Sequence, residues 1–176
     1  RLGKHVYGYD EETLMASIGR RLMALNKTLS LAESCTGGNI GKLITSIPGS
    51  SAYFMGSVVS YDNSVKEKVL GVSRATLDTH GAVSEETVQE MLSGILRITG
   101  THYAIAVSGV AGPGGGTEDK PVGTVYIGVA GPSVTEIKRY TFGQKRDTNI
   151  EYSSMYALHQ LRSMLDADLE KQGISA

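Results

Sequence analysis

Ser34 stands where an open α/β protein would place a nucleophile. The stretch from Leu29 to Ile44 reads LSLAESCTGGNIGKLI: a strand-like apolar run stops at Glu33-Ser34-Cys35-Thr36, passes Gly37 and Gly38, and continues in a helical pattern. Backbone N–H groups at such a helix start are unpaired and carry the positive end of the helix dipole. Those near Thr36, Gly37 and Gly38 are therefore placed to face an anion or a developing oxyanion. The hydroxyl needs a base, because an unactivated serine is a poor nucleophile. Candidates are few. Lys66 lies on a short helix beyond a strand that ends in Tyr61, and partial burial lowers a lysine pKa from its usual ~10.4 towards neutrality. Serine activated by lysine needs no histidine. Tyr61 would relay a proton or hold the lysine. On spacing alone a plainer arrangement stays open, in which Ser34 caps a helix, Tyr61 packs at a strand edge and Lys66 is a solvated charge.

Cys35 is the rival nucleophile, although a lone cysteine is more often a small buried hydrophobe than a thiolate. His5, His80, His102 and His159 show no metal-ligand spacing. His80 with Asp78 imitates part of a serine-histidine-aspartate triad, but both fall on a predicted surface helix. The loop from Gly109 to Gly116 is neither a Walker A motif nor a GxGxxG turn opening a helix. Its glycines still permit backbone N–H groups to approach a phosphate or carboxamide, which brings Ser108, Gly109 and Gly112 into the site. A plain surface loop satisfies the same spacing. Lys138, Arg139, Lys145 and Arg146 could complement a ligand phosphate, although most such charges are merely solvated.

The elements that must position these groups follow from periodicity. Leu14, Ile18, Leu22 and Leu25 recur at helical spacing behind Asp10, read as the N-cap. Residues 28–33 alternate as a strand, and the helix after Gly38 must end by Pro48. Residues 53–61, YFMGSVVSY, form a second strand; Asp62 or Asn63 caps the helix carrying Lys66, and Gly71 ends it. A short helix runs from Ser73 to His80, and a longer one after Ser84 carries Val88, Met91, Leu92 and Ile95 on one stripe. Residues 102–107 are a buried strand. Residues 122–129 and 134–142 form a hairpin about Gly131-Pro132, and a last helix spans about 147–169. Five strands interleaved with helices predict a three-layer α/β/α sandwich with a mixed, mostly parallel five-stranded sheet, one strand being antiparallel. The carboxyl ends of the first three strands then share one edge, where open α/β sheets bind ligands.

The 176 residues suit one domain, at 10–170, between a tether at 1–9 and a tail at 171–176. Arg1 to Tyr9 has no period and reads as a linker from an upstream domain or a trimmed end. Hydrophobic residues at 40% and charged residues at 20% are globular values. Seventeen Lys and Arg against 18 acidic residues, without a long basic run, disfavour extended nucleic-acid binding. One cysteine makes no intrachain disulfide, and no apolar run approaches the ~20 residues that span a bilayer, so the chain reads as cytoplasmic with no membrane partner.

Five runs carry a specific resemblance: AESCTGG (32–38), IPGSSAYFMGSVVSY (47–61), KEKVLGV (66–72), HGAVSEETV (80–88) and SGVAGPGGGTEDKPVGTVYIG (108–128). In order and wording they resemble the carboxy-terminal domain of the competence/damage-inducible protein CinA family, also found alone as the PncC type of nicotinamide mononucleotide amidohydrolase. The resemblance covers about Glu11 to Leu165. It implies an α/β/α fold and hydrolysis of the carboxamide of nicotinamide mononucleotide, giving nicotinic acid mononucleotide and ammonia in pyridine nucleotide salvage. It implies catalytic roles for Ser34, Tyr61 and Lys66, no metal or cofactor, association as a dimer or larger homo-oligomer, and an upstream domain in longer relatives. Thr36, Gly37, Gly38, Ser108, Gly109, Gly112 and Arg146 are the expected substrate contacts. The chain departs from the pattern where relatives often carry a second arginine a few residues beyond Arg146; here stand Asn149, Ile150 and Glu151. A domain that binds a nucleotide or supports assembly without turnover is the alternative.

Overall fold

A computed structural model describes residues 13–174. The tether at 1–9 and the Asp10 cap lie outside them. The first helix, α1 (Leu14–Ala24), opens on Thr13, whose hydroxyl accepts from the Ala16 N–H. The chain then runs through β1 (Leu29–Glu33), α2 (Asn39–Thr45), β2 (Phe54–Val59) and α3 (Asn63–Val65). From α3 it continues as a π-helical turn, Lys66–Leu70, before α4 (Arg74–His80) and α5 (Glu85–Thr99). Strands β3 (Tyr103–Gly109), β4 (Thr124–Ala130) and β5 (Thr135–Thr141) lead into α6 (Arg146–Gln172). That last helix extends two residues into the expected tail. Among the described residues no helix is long and apolar enough to cross a membrane.

The five strands form one sheet in the order β2-β1-β3-β4-β5. β1 pairs in parallel with β2 and β3, whereas β4 is antiparallel to both β3 and β5. Four strands therefore share one direction and β4 opposes them, the mixed arrangement that the hairpin requires. Counted by pairing, the ladders divide evenly between parallel and antiparallel.

Alternation along the central strands sets the two outer layers. Leu29, Leu31, Ile105, Val107, Ile127 and Val129 pack on the face covered by α1, α2 and α6. The opposite face carries Ala32, Ala104, Ala106 and Ala130 and receives α5 through Val88, Met91, Leu92 and Ile95. Small side chains on that face let α5 lie close to the sheet and to the π-helical turn. Gly94 marks the contact, because a Cβ there would lie 1.9 Å from the Leu70 carbonyl oxygen. Gly94→Ala, which in an open helix gains about 1 kcal/mol, is expected here to cost about 3 kcal/mol, since backbone rather than a side chain must give way. A urea midpoint unchanged from wild type would contradict this packing.

Strand β2 stops at Val59, two residues earlier than the sequence pattern suggests. Beyond it the Ser60 N–H donates to the Glu33 carbonyl at 2.7 Å, and Tyr61 projects past the sheet edge with 60% of its surface exposed. The Asp62 carboxylate accepts from the Ser64 N–H at 2.8 Å and so caps α3, while Gly71 at φ +74° ends the π-helical turn. The wider helix has no local signal in the sequence. Its place at Lys66 matches the frequent use of such turns at functional sites.

Candidate active site

The carboxyl ends of β1, β2 and β3 open onto a cavity of about 290 Å³. Ser34 is the first residue past β1, and its N–H donates to the Val107 carbonyl at 3.0 Å, extending the ladder by one bond. The chain then turns sharply through Gly37 at φ +61° and Gly38 at φ +95°, conformations that strongly favour glycine. Ser34 is left at the cavity wall, 7% exposed.

Lys66 reaches it from the other side. The lysine is 1% exposed, and its Nζ lies 3.1 Å from Ser34 Oγ and 2.6 Å from the Ser60 carbonyl oxygen. Neither contact is a carboxylate. Burial lowers the Lys66 pKa from its ordinary 10.5, against the opposing pull of Cys35 and Asp62. A neutral amine here donates to Ser60 and presents its lone pair to the Ser34 hydroxyl. Cys35 also lines the cavity, but burial pushes its thiol up to about 12, so it holds its proton at neutral pH.

Tyr61 has a different partner from the one expected. Its hydroxyl accepts from Arg146 Nη2 at 2.7 Å, while Arg146 Nη1 donates to the Gly112 carbonyl at 2.8 Å. The lysine is held by Ser60 instead, and among the described residues no hydrogen bond joins Tyr61 to Lys66. Arg146, at the start of α6, thus ties the end of the β2 edge to the glycine-rich loop across the cavity mouth.

The structure brings Ser34, Tyr61, Lys66, Ser108, Gly109, Gly112 and Arg146 to this one cavity. It does not bring Thr36, Gly37 and Gly38 there as oxyanion donors. The Thr36 hydroxyl and the Gly38 N–H donate to the Glu33 carboxylate at 2.8 and 3.1 Å, and the Gly37 N–H donates to the Ser34 carbonyl at 3.1 Å. An internal anion already occupies the helix start. Ser108 Oγ donates to the Ala82 carbonyl at 2.7 Å, which fixes the apolar wall formed by Ala82 and Val83.

Of the four basic residues weighed near the loop, Arg146 alone lines the cavity. Lys138 pairs with Glu136, and Arg139 donates to the Asp119 carbonyl. Asn149 is 1% exposed and donates through Nδ2 to the Ala111 and Gly143 carbonyls, bracing the loop from beneath. Two site residues escaped sequence reasoning. Asn63 lines the cavity one helical turn before Lys66, a spacing visible in the sequence. Glu33 is the other; it stands behind the cavity wall, and its signal was a carboxyl closing the Leu29–Glu33 strand just before Ser34.

Residues 11–165 match the family model of the CinA C-terminal domain. The chain belongs to that family. A CinA-like protein of Gloeothece citriformis is 47% identical over 166 residues, covering 93% of this chain and 40% of the relative. A CinA-like protein of Thermotoga maritima is 44% identical over 165 residues, with the same 40% share of its own length. The chain thus spans about two-fifths of the curated relatives it matches. Among solved structures, the competence damage-inducible protein A of Klebsiella pneumoniae superposes with a TM-score of 0.84 at 41% identity, covering 87% of this chain and 95% of that one. The competence/damage inducible protein CihA of Agrobacterium tumefaciens gives 0.81 at 34% identity, covering 90% and 99%. The CinA C-terminal fold accordingly accounts for the α/β/α layers and for nearly the whole of those structures.

Proposed function

We propose that this CinA domain is a serine amidohydrolase that removes the carboxamide nitrogen of nicotinamide mononucleotide, leaving nicotinic acid mononucleotide and ammonia. The observation that carries the reading is the buried Lys66 amine 3.1 Å from Ser34 Oγ, with a backbone carbonyl as its other hydrogen-bond partner among the described residues. Neutral Lys66 takes the hydroxyl proton as Ser34 attacks the carboxamide carbon. With Thr36, Gly37 and Gly38 away from the cavity, the N–H of Cys35, a residue that lines it, is left to meet the oxyanion. The lysine returns its proton to the departing nitrogen, ammonia leaves, and water attacks the acyl-enzyme with Lys66 again as base. The substrate's pyridinium ring withdraws electrons from the carbonyl and favours attack.

Arg146 at the mouth is the group to meet the phosphate. The test is ammonia release from nicotinamide mononucleotide, its riboside and free nicotinamide. The mononucleotide is expected to be the best of the three. Arg146→Ala is expected to raise its KM about 10-fold or more, the scale of a lost hydrogen bond to a charged group, while leaving the riboside's KM unchanged. Equal turnover of all three amides, or an Arg146→Ala effect identical on mononucleotide and riboside, would refute the assignment of the phosphate to that end of the cavity. Tight binding without ammonia release would instead support a non-catalytic nucleotide-binding domain.

A further inference from the structure

The most heavily bonded side chain beside the site belongs to neither Ser34 nor Lys66. Glu33 is fully buried, and a buried carboxylate is costly unless its oxygens are hydrogen-bonded. Its Oε2 accepts from Thr36 Oγ1 at 2.8 Å, Gly38 N at 3.1 Å and Ile40 N at 3.0 Å. Its Oε1 accepts from Gly41 N at 2.9 Å and Ser57 Oγ at 3.1 Å. All five are neutral donors, and three are backbone N–H groups at the start of α2. The carboxylate therefore satisfies the positive end of that helix from within the protein.

The main chain of the same residue reaches the lysine. The Glu33 carbonyl accepts from the Ser60 N–H at 2.7 Å, and the Ser60 carbonyl accepts from Lys66 Nζ at 2.6 Å. Glu33 thus grips the turn that begins at Ser34 with its side chain, and the residue that holds Lys66 with its backbone. The cavity is not lined by Glu33, so substrate does not meet it.

We propose that Glu33 is a positioning residue whose carboxylate sets the turn that holds Ser34 Oγ against Lys66 Nζ. This rests on the serine–lysine reading above. Replacing the carboxylate by a carboxamide keeps the size but turns an NH₂ group towards N–H and O–H donors, so the start of α2 must shift and Ser34 with it. Lys66, held through backbone, keeps its own setting.

The experiment compares wild type with Glu33→Gln and Thr36→Val. It follows labelling of Ser34 by a fluorophosphonate probe, read by intact mass, together with kcat, KM and the pH profile on nicotinamide mononucleotide. Glu33→Gln is expected to label completely but about 100-fold more slowly, the scale of an ångström-level misplacement. Its kcat should fall by the same factor, with KM little changed and the acidic limb of the profile, set by Lys66, unmoved. Thr36→Val removes one donor and keeps the carboxylate; labelling should slow about 5- to 10-fold. That second variant decides the matter if Glu33→Gln does not fold. A reduced labelled fraction that reacts at the wild-type rate would reveal a role in stability alone and overturn the proposal, as would wild-type rates in the folded variants. If wild type itself neither labels nor releases ammonia, the serine–lysine reading falls and the Glu33 role falls with it; slow variants of an active wild type leave that reading standing.

Discussion

Ser34→Ala is expected to lose at least ~10³-fold of amide turnover, in line with removal of a nucleophile from other serine hydrolases. The fold should tolerate it. The backbone N–H of residue 34 still donates to Val107, and Lys66 Nζ keeps the Ser60 carbonyl. The substitution removes the hydrogen bond between Oγ and Lys66 Nζ, so the change in stability should stay within about 1 kcal/mol. Substrate contacts at the Arg146 end are untouched, and calorimetry should return a dissociation constant for nicotinamide mononucleotide close to wild type. Loss of turnover with binding retained separates a missing nucleophile from a collapsed pocket. A covalent acyl adduct seen by mass on wild type and absent from Ser34→Ala would complete the case. Normal ammonia release from the variant would end the nucleophile assignment.

Much of this arrangement was legible because it is local. The Ser34 turn is marked by an apolar run meeting small polar residues and two glycines, and Gly37 and Gly38 do take the positive φ values that such a turn needs. The helix carrying Lys66 announces itself through its Asp62 cap and its Gly71 stop. What escaped depends on contacts between elements. Tyr61 reads as a partner for Lys66 from five residues away, yet Arg146, 85 residues on, claims its hydroxyl. The N–H groups at the start of α2 look free in sequence because helix starts usually leave them so. The carboxylate that takes them comes from the preceding strand, and Ser57 on β2 completes its shell. Likewise the π-helical turn has no pattern of its own, and its close packing against α5, where Gly94 leaves room for the Leu70 carbonyl, is a contact between elements. Periodicity reports which face of an element is apolar, and it is silent on which polar groups the packing of two elements will pair.

Lys66→Met removes the base while keeping an unbranched chain in the same buried channel, and turnover is expected to fall about 10³-fold, within the usual range for a general base. Wild-type activity should show a matching signature. Only the neutral amine accepts the Ser34 proton, so kcat/KM should rise with pH through the pKa of Lys66 and level off above it. Burial places that midpoint below the ordinary 10.5 of a lysine. Lys66→Met should lose this limb and show a flat residual rate. Stability follows the same sign. The folded pKa is depressed relative to the unfolded chain, so between the two values the unfolded state binds the extra proton and wild-type stability rises with pH across that window. Lys66's contribution is fully present above the unfolded pKa and is lost as pH falls through the folded one. Urea midpoints of wild type should therefore climb with pH relative to those of Lys66→Met, and parallel pH curves for the two proteins would show that Lys66 titrates as a solvated surface lysine. An activity limb in Lys66→Met identical to that of wild type would assign the proton transfer to another group. Because activity and stability report the same proton and rise together with pH, the folded pKa that sets the activity midpoint must also mark where the stability rise begins.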